Sequence, residues 1–222
     1  AKQWIAGNTM SEAIEYAKHA NANGMGAIIN RLGEHMTSMQ QVENTVAEYL
    51  TLVANLRRLK VSGGVSVKPT QAGLSINQDV CIESLETIIE KASGPQSFVW
   101  VDMESSEHTD ETVKIYLDLF ERYERVGLAI QANLKRTNKD LSFLLKKGAK
   151  VRLVKGAYHE SNAIAYKTRH EVDENYKKLV KMLFSDGNEF AIATHDSKMI
   201  DVAKELSKKH ERKFEFQMLK GI

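Results

Sequence analysis

A handful of side chains stand where a soluble chain would ordinarily keep apolar residues or bare strand ends: Lys68, Asp102, Gln131, Arg152, Lys155 and His195. Arg152 asks for the most explanation. It lies between Val151 and Leu153-Val154, in a stretch that reads as a buried strand over residues 150–158. A guanidinium in such a place needs a carboxylate, or an anionic or electron-rich ligand, to repay its lost hydration. Gly156 and Ala157 follow Lys155, and a small pair there lets backbone N–H groups come close to a phosphate. A lysine beside Asp102 stays protonated and binds anions, whereas a desolvated lysine attacks carbonyls. Both readings stay open for Lys68 and Lys155, so a Schiff-base aldolase is the rival from pattern alone. A cation-rich set with one carboxylate suits an anionic substrate or a phosphate-bearing cofactor.

Each residue also has a purely structural reading. Lys68 can be a solvated strand end, Asp102 a turn cap, Gln131 a partner for backbone, and Arg152 half of an ion pair. Lys155-Gly156 can be a strand stop, and His195 a satisfied, partly buried histidine. Cys81, between Val80 and Ile82, reads as core. No metal set accompanies these residues: His195-Asp196 is a lone pair of possible ligands. There is no serine nucleophile elbow and no Gly-x-Gly-x-x-Gly after a strand.

What unites the polar residues is the elements that must carry them. Short apolar runs alternate with amphipathic ones. Strands are expected at 26–31, 64–68, 97–102, 127–131, 150–158, 189–194 and 214–218. Helices are expected at 9–23, 37–60, 77–92, 109–125, 137–147, 164–184 and 197–209. Thr9 with Glu12 forms a capping-box pattern, Asn77 is a cap, and Gly148 a stop. The helix from Thr109 should turn Val113, Tyr116, Leu117 and Phe120 inward. Such alternation makes a largely parallel sheet with helices outside. It fits an α/β fold, a (β/α)8 TIM-type barrel with about seven strand–helix units in this chain; the alternative is an open sheet. The polar residues fall at C-terminal strand ends, namely Arg31, Lys68, Asp102 with Glu104, Gln131, Lys155, Thr194 with His195 and Asp196, and Gln217. In a barrel those ends form one mouth, where active sites lie, so the barrel is the more economical reading.

Composition sets wider bounds. The chain has 222 residues, 42% hydrophobic and 27% charged, with formal net charge +2. Charge of that size, without basic runs, gives no ground for a nucleic-acid partner. One cysteine excludes an internal disulfide framework and a Cys-rich metal site, and fits a reducing, cytoplasmic setting. No apolar run approaches the roughly 18 residues of a spanning helix.

The ordered motifs are more specific than any single residue. Val67-Lys68-Pro-Thr-Gln-Ala-Gly73, Val101-Asp102-Met103-Glu104 and Gln131-Ala132 come first. Val151-Arg152-Leu-Val-Lys-Gly-Ala-Tyr158, Ala193-Thr194-His195-Asp196 and Phe216-Gln217-Met218-Leu219 with Gly221-Ile222 follow. Together, across essentially the whole chain, they resemble the proline dehydrogenase family. The resemblance implies a single barrel domain over 1–222 that binds FAD and oxidises L-proline to 1-pyrroline-5-carboxylate by hydride transfer to flavin N5, the first step of proline catabolism. It implies Asp102 and Arg152 as catalytic residues, and Lys68 and Tyr158 as substrate ligands. Met103, Gln131, Arg152, Val154, Lys155, Gly156, Ala157, Thr194 and His195 become cofactor ligands by the same resemblance. A quinone acceptor with peripheral contact at the inner face of a membrane is implied too. So is an eighth strand–helix unit beyond Ile222, carrying an arginine pair for the substrate carboxylate. A second enzyme domain, an aldehyde dehydrogenase, accompanies some members. Asn133 stands where the family commonly has an aromatic residue, and Lys220 where it usually has Tyr. A barrel retained for flavin binding without catalysis is the remaining alternative.

Overall fold

The computed structural model describes residues 5–92, 94 and 97–221; Ile222 of the last motif lies outside them. The expected alternation is present. Helices are α1 (Met10–Ala22), α2 (Met39–Arg58), α3 (Gln78–Lys91), α4 (Thr109–Arg122), α5 (Thr137–Lys146), α6 (Arg169–Asp186) and α7 (Ser197–Ser207). Strands are β1 (Ala27–Asn30), β2 (Gly63–Val67), β3 (Ser97–Val101), β4 (Val126–Gln131), β5 (Val151–Val154), β6 (Glu189–Ala193) and β7 (Lys213–Gln217). This is the α/β strand–helix repeat of the (β/α)-barrel class, with seven strands among the described residues.

The chain divides into two compact units. The first holds residues up to Asp102 together with Asp110–Gly127. In it β1 pairs in parallel with β2, and β2 with β3. Helix α2 buries Val42, Tyr49, Leu52, Val53 and Leu56, at helical spacing. Helix α4 buries Ile115, Tyr116 and Leu119 completely, while Val113, Leu117 and Phe120 are only half-buried. The expected inward face is thus rotated: the pattern of large residues alone did not weigh Thr112 and Ile115, which complete the buried stripe.

The second unit holds Met103–Thr109 and everything from Leu128. There β4, β5, β6 and β7 pair in parallel, in that order. Helix α6 buries Tyr176, Leu179, Val180, Leu183 and Phe184. Phe184 meets Phe190 and Phe214 edge-on, with ring centroids 5.0 Å apart in each pair, the geometry aromatic rings prefer. Two expected boundaries move. The fifth strand ends at Val154, because Gly156 has φ +102° and takes the chain out of the extended conformation. Helix α6 starts at Arg169, not Ile164: Thr168 and Glu171 form its capping box. Residues 161–165 serve a turn and an isolated bridge between Leu134 and Ala165 instead.

Candidate functional site

In the first unit the C-terminal ends of β1, β2 and β3 gather a carboxylate-centred cluster. Asp102 follows β3 directly, and its N–H still donates to Val67 O at 2.9 Å, so the ladder fixes it. Its Oδ1 accepts from Ser66 Oγ at 2.7 Å, and its Oδ2 from Asn30 Nδ2 at 3.0 Å. Lys68 Nζ lies 3.5 Å from Asp102 and 3.7 Å from Glu34. Both contacts are long, so the ammonium remains able to take a further carboxylate.

The cluster rests on two wholly buried polar side chains from the Lys68 motif, Thr70 and Gln71. Gln71 Nε2 donates to Arg31 O and Gly33 O at 2.7 and 2.6 Å, and Thr70 Oγ1 accepts from His35 N at 3.0 Å. They hold the loop after β1, and with it Glu34, close to Lys68. Asn30, Ser66 and Glu34 were not singled out from sequence. Ser66 was findable, since it lies two residues before Lys68 on one strand, hence on the same face.

In the second unit the ends of β4 to β7 gather a different set. Arg152 is 9% exposed, and its Nη1 donates to Gln217 Oε1 at 3.4 Å. Gln131, 3% exposed, donates from Nε2 to Glu104 O at 2.8 Å. Met103 is buried in the same unit. Beyond β4 and β5 the ladder continues: Ala132 N–H donates to Val154 O at 2.9 Å and Asn133 N–H to Lys155 O at 2.8 Å.

Lys155 carries more company than the sequence suggested. Its Nζ is 2.6 Å from Asp196 and 2.5 Å from Asp173, and Arg169 adds a contact to Asp196 at 3.2 Å. The hydrogen bond from Lys155 holds the Asp196 carboxyl well below the usual range, at about 2; burial opposes this, and Arg169 assists. Asp196 also caps α7 by accepting from Lys198 N. An anion approaching Lys155 therefore meets an ammonium already shared by two carboxylates, and feels a weaker pull than a lone lysine would exert. Asp173, on α6, carried no sequence signal: its link to Lys155 spans 18 residues.

Thr194 is buried, and its Oγ1 accepts from Asp196 N at 3.1 Å. His195 is exposed; its Nε2 accepts from Leu219 N at 3.0 Å. Val154, Gly156 and Tyr158 are half-buried and Ala157 exposed. Tyr158 lies beyond the strand, in a loop tied back by Glu160, whose two oxygens accept from Ser106 N and Oγ at 2.7 and 2.6 Å. The expected residues thus fall into two groups. Lys68 and Asp102 meet in the first unit, and the others belong to the second.

The second group suits a dinucleotide cofactor. Gly156, with φ +102°, leaves its Cβ side to the side chain of Asn133; a Cβ there would come 2.1 Å from Asn133 Oδ1. The bare backbone at Gly156, the buried Arg152 guanidinium and the buried Gln131 amide are donors that such a cofactor's ring and phosphate chain would use.

The chain is similar to known proteins across nearly its whole length. The profile of a family described as Proline dehydrogenase matches residues 13–222. Proline dehydrogenase 2 of Bacillus subtilis (strain 168) is 37% identical over 221 residues, covering 98% of this chain and 73% of that protein. Proline dehydrogenase of Deinococcus radiodurans is 30% identical over 230 residues, covering all of this chain and 74% of that one. Among solved structures, that of proline utilization A (PutA) from Bdellovibrio bacteriovorus inactivated by N-propargylglycine has TM-score 0.88 at 24% identity. It covers 100% of this chain, which spans only 28% of the PutA chain. No helix among the described residues is long and apolar enough to cross a membrane.

Proposed function

This chain belongs to the proline dehydrogenase family, oxidoreductases of proline metabolism, and from that premise we propose that it binds FAD and oxidises L-proline to 1-pyrroline-5-carboxylate. The observation that carries the reading is the match over residues 13–222, with strand-end residues of the right chemistry on both units. When bound, FAD supplies the two-electron acceptor, taking hydride at N5 from the carbon beside the proline nitrogen.

The chain's own residues do the rest. Lys68 pairs with the substrate carboxylate, a role its loose contacts at 3.5 and 3.7 Å leave open. Asp102, fixed by Ser66 and Asn30, orients Lys68 and holds negative charge toward the substrate amine. Tyr158 walls the proline ring, on a loop steadied by Glu160. Arg152 would lie against the flavin as a fixed, buried cation, the kind of charge that needs no reorganisation during reaction. Gln131 and Met103 would hold the ring; Val154, Lys155, Gly156 and Ala157 would take the ribityl and diphosphate, and Thr194 and His195 the remainder. A quinone is the onward acceptor, with peripheral contact to a membrane from the cytoplasmic side.

The test is direct. The full-length protein should purify with bound FAD and reduce a dye acceptor when given L-proline. A folded protein that retains FAD but never turns over proline would instead support a binding role alone.

A further inference from the structure

Asn133, two residues after Gln131, is left without a task by the roles above. Its main chain is fully engaged: the N–H donates to Lys155 O at 2.8 Å, and the carbonyl accepts from Tyr166 N at 2.9 Å. Its side chain packs on Gly156, where an added Cβ would fall 2.4 Å from Cγ and 2.1 Å from Oδ1. The residue is 9% exposed, and Oδ1 is buried and accepts no hydrogen bond from any described residue. Of the neighbouring amides, Asn138 shares this lack at its own Oδ1, whereas Asn175 is satisfied. Asn175 Nδ2 donates to Ala132 O at 2.7 Å, and its Oδ1 accepts from Asn138 at 2.6 Å. A buried acceptor without a donor is a standing cost that an apolar residue of similar size would avoid. Its presence beside the bare backbone of Gly156 asks for a donor from outside the chain.

We propose that Asn133 is a cofactor-contact residue whose Oδ1 accepts a hydrogen bond from a sugar hydroxyl of the bound dinucleotide. This rests on the FAD reading given above and adds a residue to it. The chemistry narrows the donor. A diphosphate at neutral pH has no proton to give, and the two other donors, the ring N3–H and the adenine amino group, belong to the two ends of the molecule rather than to the chain between them. The hydroxyls of the chain running past residues 154–157 donate freely. The ribityl chain and the adenosine ribose share that chemistry.

The experiment uses the full-length protein stripped of flavin. Asn133→Leu keeps the branched shape, somewhat enlarged, and loses the acceptor; Asn133→Ala also loses it while leaving room above Gly156. Thermal midpoint of the flavin-free protein and affinity for FAD, riboflavin and lumiflavin, read from flavin fluorescence, are compared with wild type. The proposal expects Asn133→Leu to be at least as stable as wild type without flavin, yet to bind FAD about fivefold to thirtyfold more weakly, the effect of one lost hydrogen bond. Lumiflavin, which has the ring and no hydroxyl chain, should bind both proteins alike. A matching loss for riboflavin assigns the ribityl hydroxyls; loss for FAD alone assigns the ribose. Should Asn133→Leu fail to fold, Asn133→Ala must show the same FAD loss. Equal FAD affinity in wild type and variant, or equal losses for FAD and lumiflavin, overturns the proposal while the FAD reading survives. Wild type that binds no FAD overturns both.

Discussion

Replacing Gly156 by alanine tests the geometry of the second unit without reference to turnover. Gly156 sits at φ +102°, where an L side chain is strained by on the order of 1–3 kcal/mol. The new Cβ would also lie 2.1 Å from Asn133 Oδ1 and 2.4 Å from its Cγ, well inside contact distance. Overpacking of that kind costs about 1–3 kcal/mol once neighbours shift. Gly156→Ala should therefore lose roughly 2–6 kcal/mol, a large share of the roughly 5–15 kcal/mol that holds an ordinary domain together. Urea unfolding of the flavin-free protein reads it as a lowered midpoint with unchanged slope. The two costs separate in a double-mutant cycle. With Asn133→Ala in the background the overlap disappears and the φ cost remains, so the penalty should shrink by about 1–3 kcal/mol. A Gly156→Ala protein as stable as wild type, or a penalty that Asn133→Ala leaves untouched, would refute the packing of Asn133 on Gly156.

Other expectations follow from particular contacts. Arg152→Met should slow flavin reduction by proline on the order of 10²–10³-fold in rapid mixing without oxygen, the scale of a lost fixed charge; a near-normal rate makes Arg152 structural. Lys68→Met should raise KM for proline far more than it lowers kcat, because it removes binding common to ground and transition states; an unchanged KM removes Lys68 from the substrate. Asp196 has a depressed pKa, so its stabilising contribution is complete above the ordinary carboxylate range and is lost as pH falls toward about 2. The stability difference between wild type and Asp196→Asn, which keeps a capping side chain for α7, should be flat near neutral pH and close in acid. A difference that instead grows on acidification contradicts the Lys155 pairing. Glu160→Gln weakens the clasp on Ser106 and should raise proteolytic cleavage in the 156–163 loop; unchanged cleavage means the clasp does not restrain it.

Much of the fold was legible because local chemistry and tertiary placement agree. Thr9 with Glu12 does cap α1, Asn77 does cap α3, and Gly148, with φ +72°, does end the turn after α5. Where they disagree, the reading slipped. Ile164, Ala165 and Tyr166 look like a helix start, yet Ala165 is spent on a bridge to Leu134 and Tyr166 N–H on Asn133 O. The Thr168–Glu171 box is a plain sequence signal, and it sets the helix start against the apolar spacing upstream. For the site, residue types at strand ends were visible, and so was Asp102 as a neighbour for Lys68. Their supports were not. Asp173 reaches Lys155 from a helix, Glu160 reaches Ser106 across 54 residues, and Gln217 reaches Arg152 across 65. Nothing local in the chain encodes such partners; only the packed strand ends bring them together.

The central claim, that this chain transfers electrons from proline to a bound flavin, is met most directly by mixing L-proline with the FAD-loaded full-length protein in the absence of oxygen. The account predicts that the absorbance of oxidised flavin disappears in wild type and persists far longer in Arg152→Met. Flavin that stays bound and oxidised in wild type at saturating proline would contradict it.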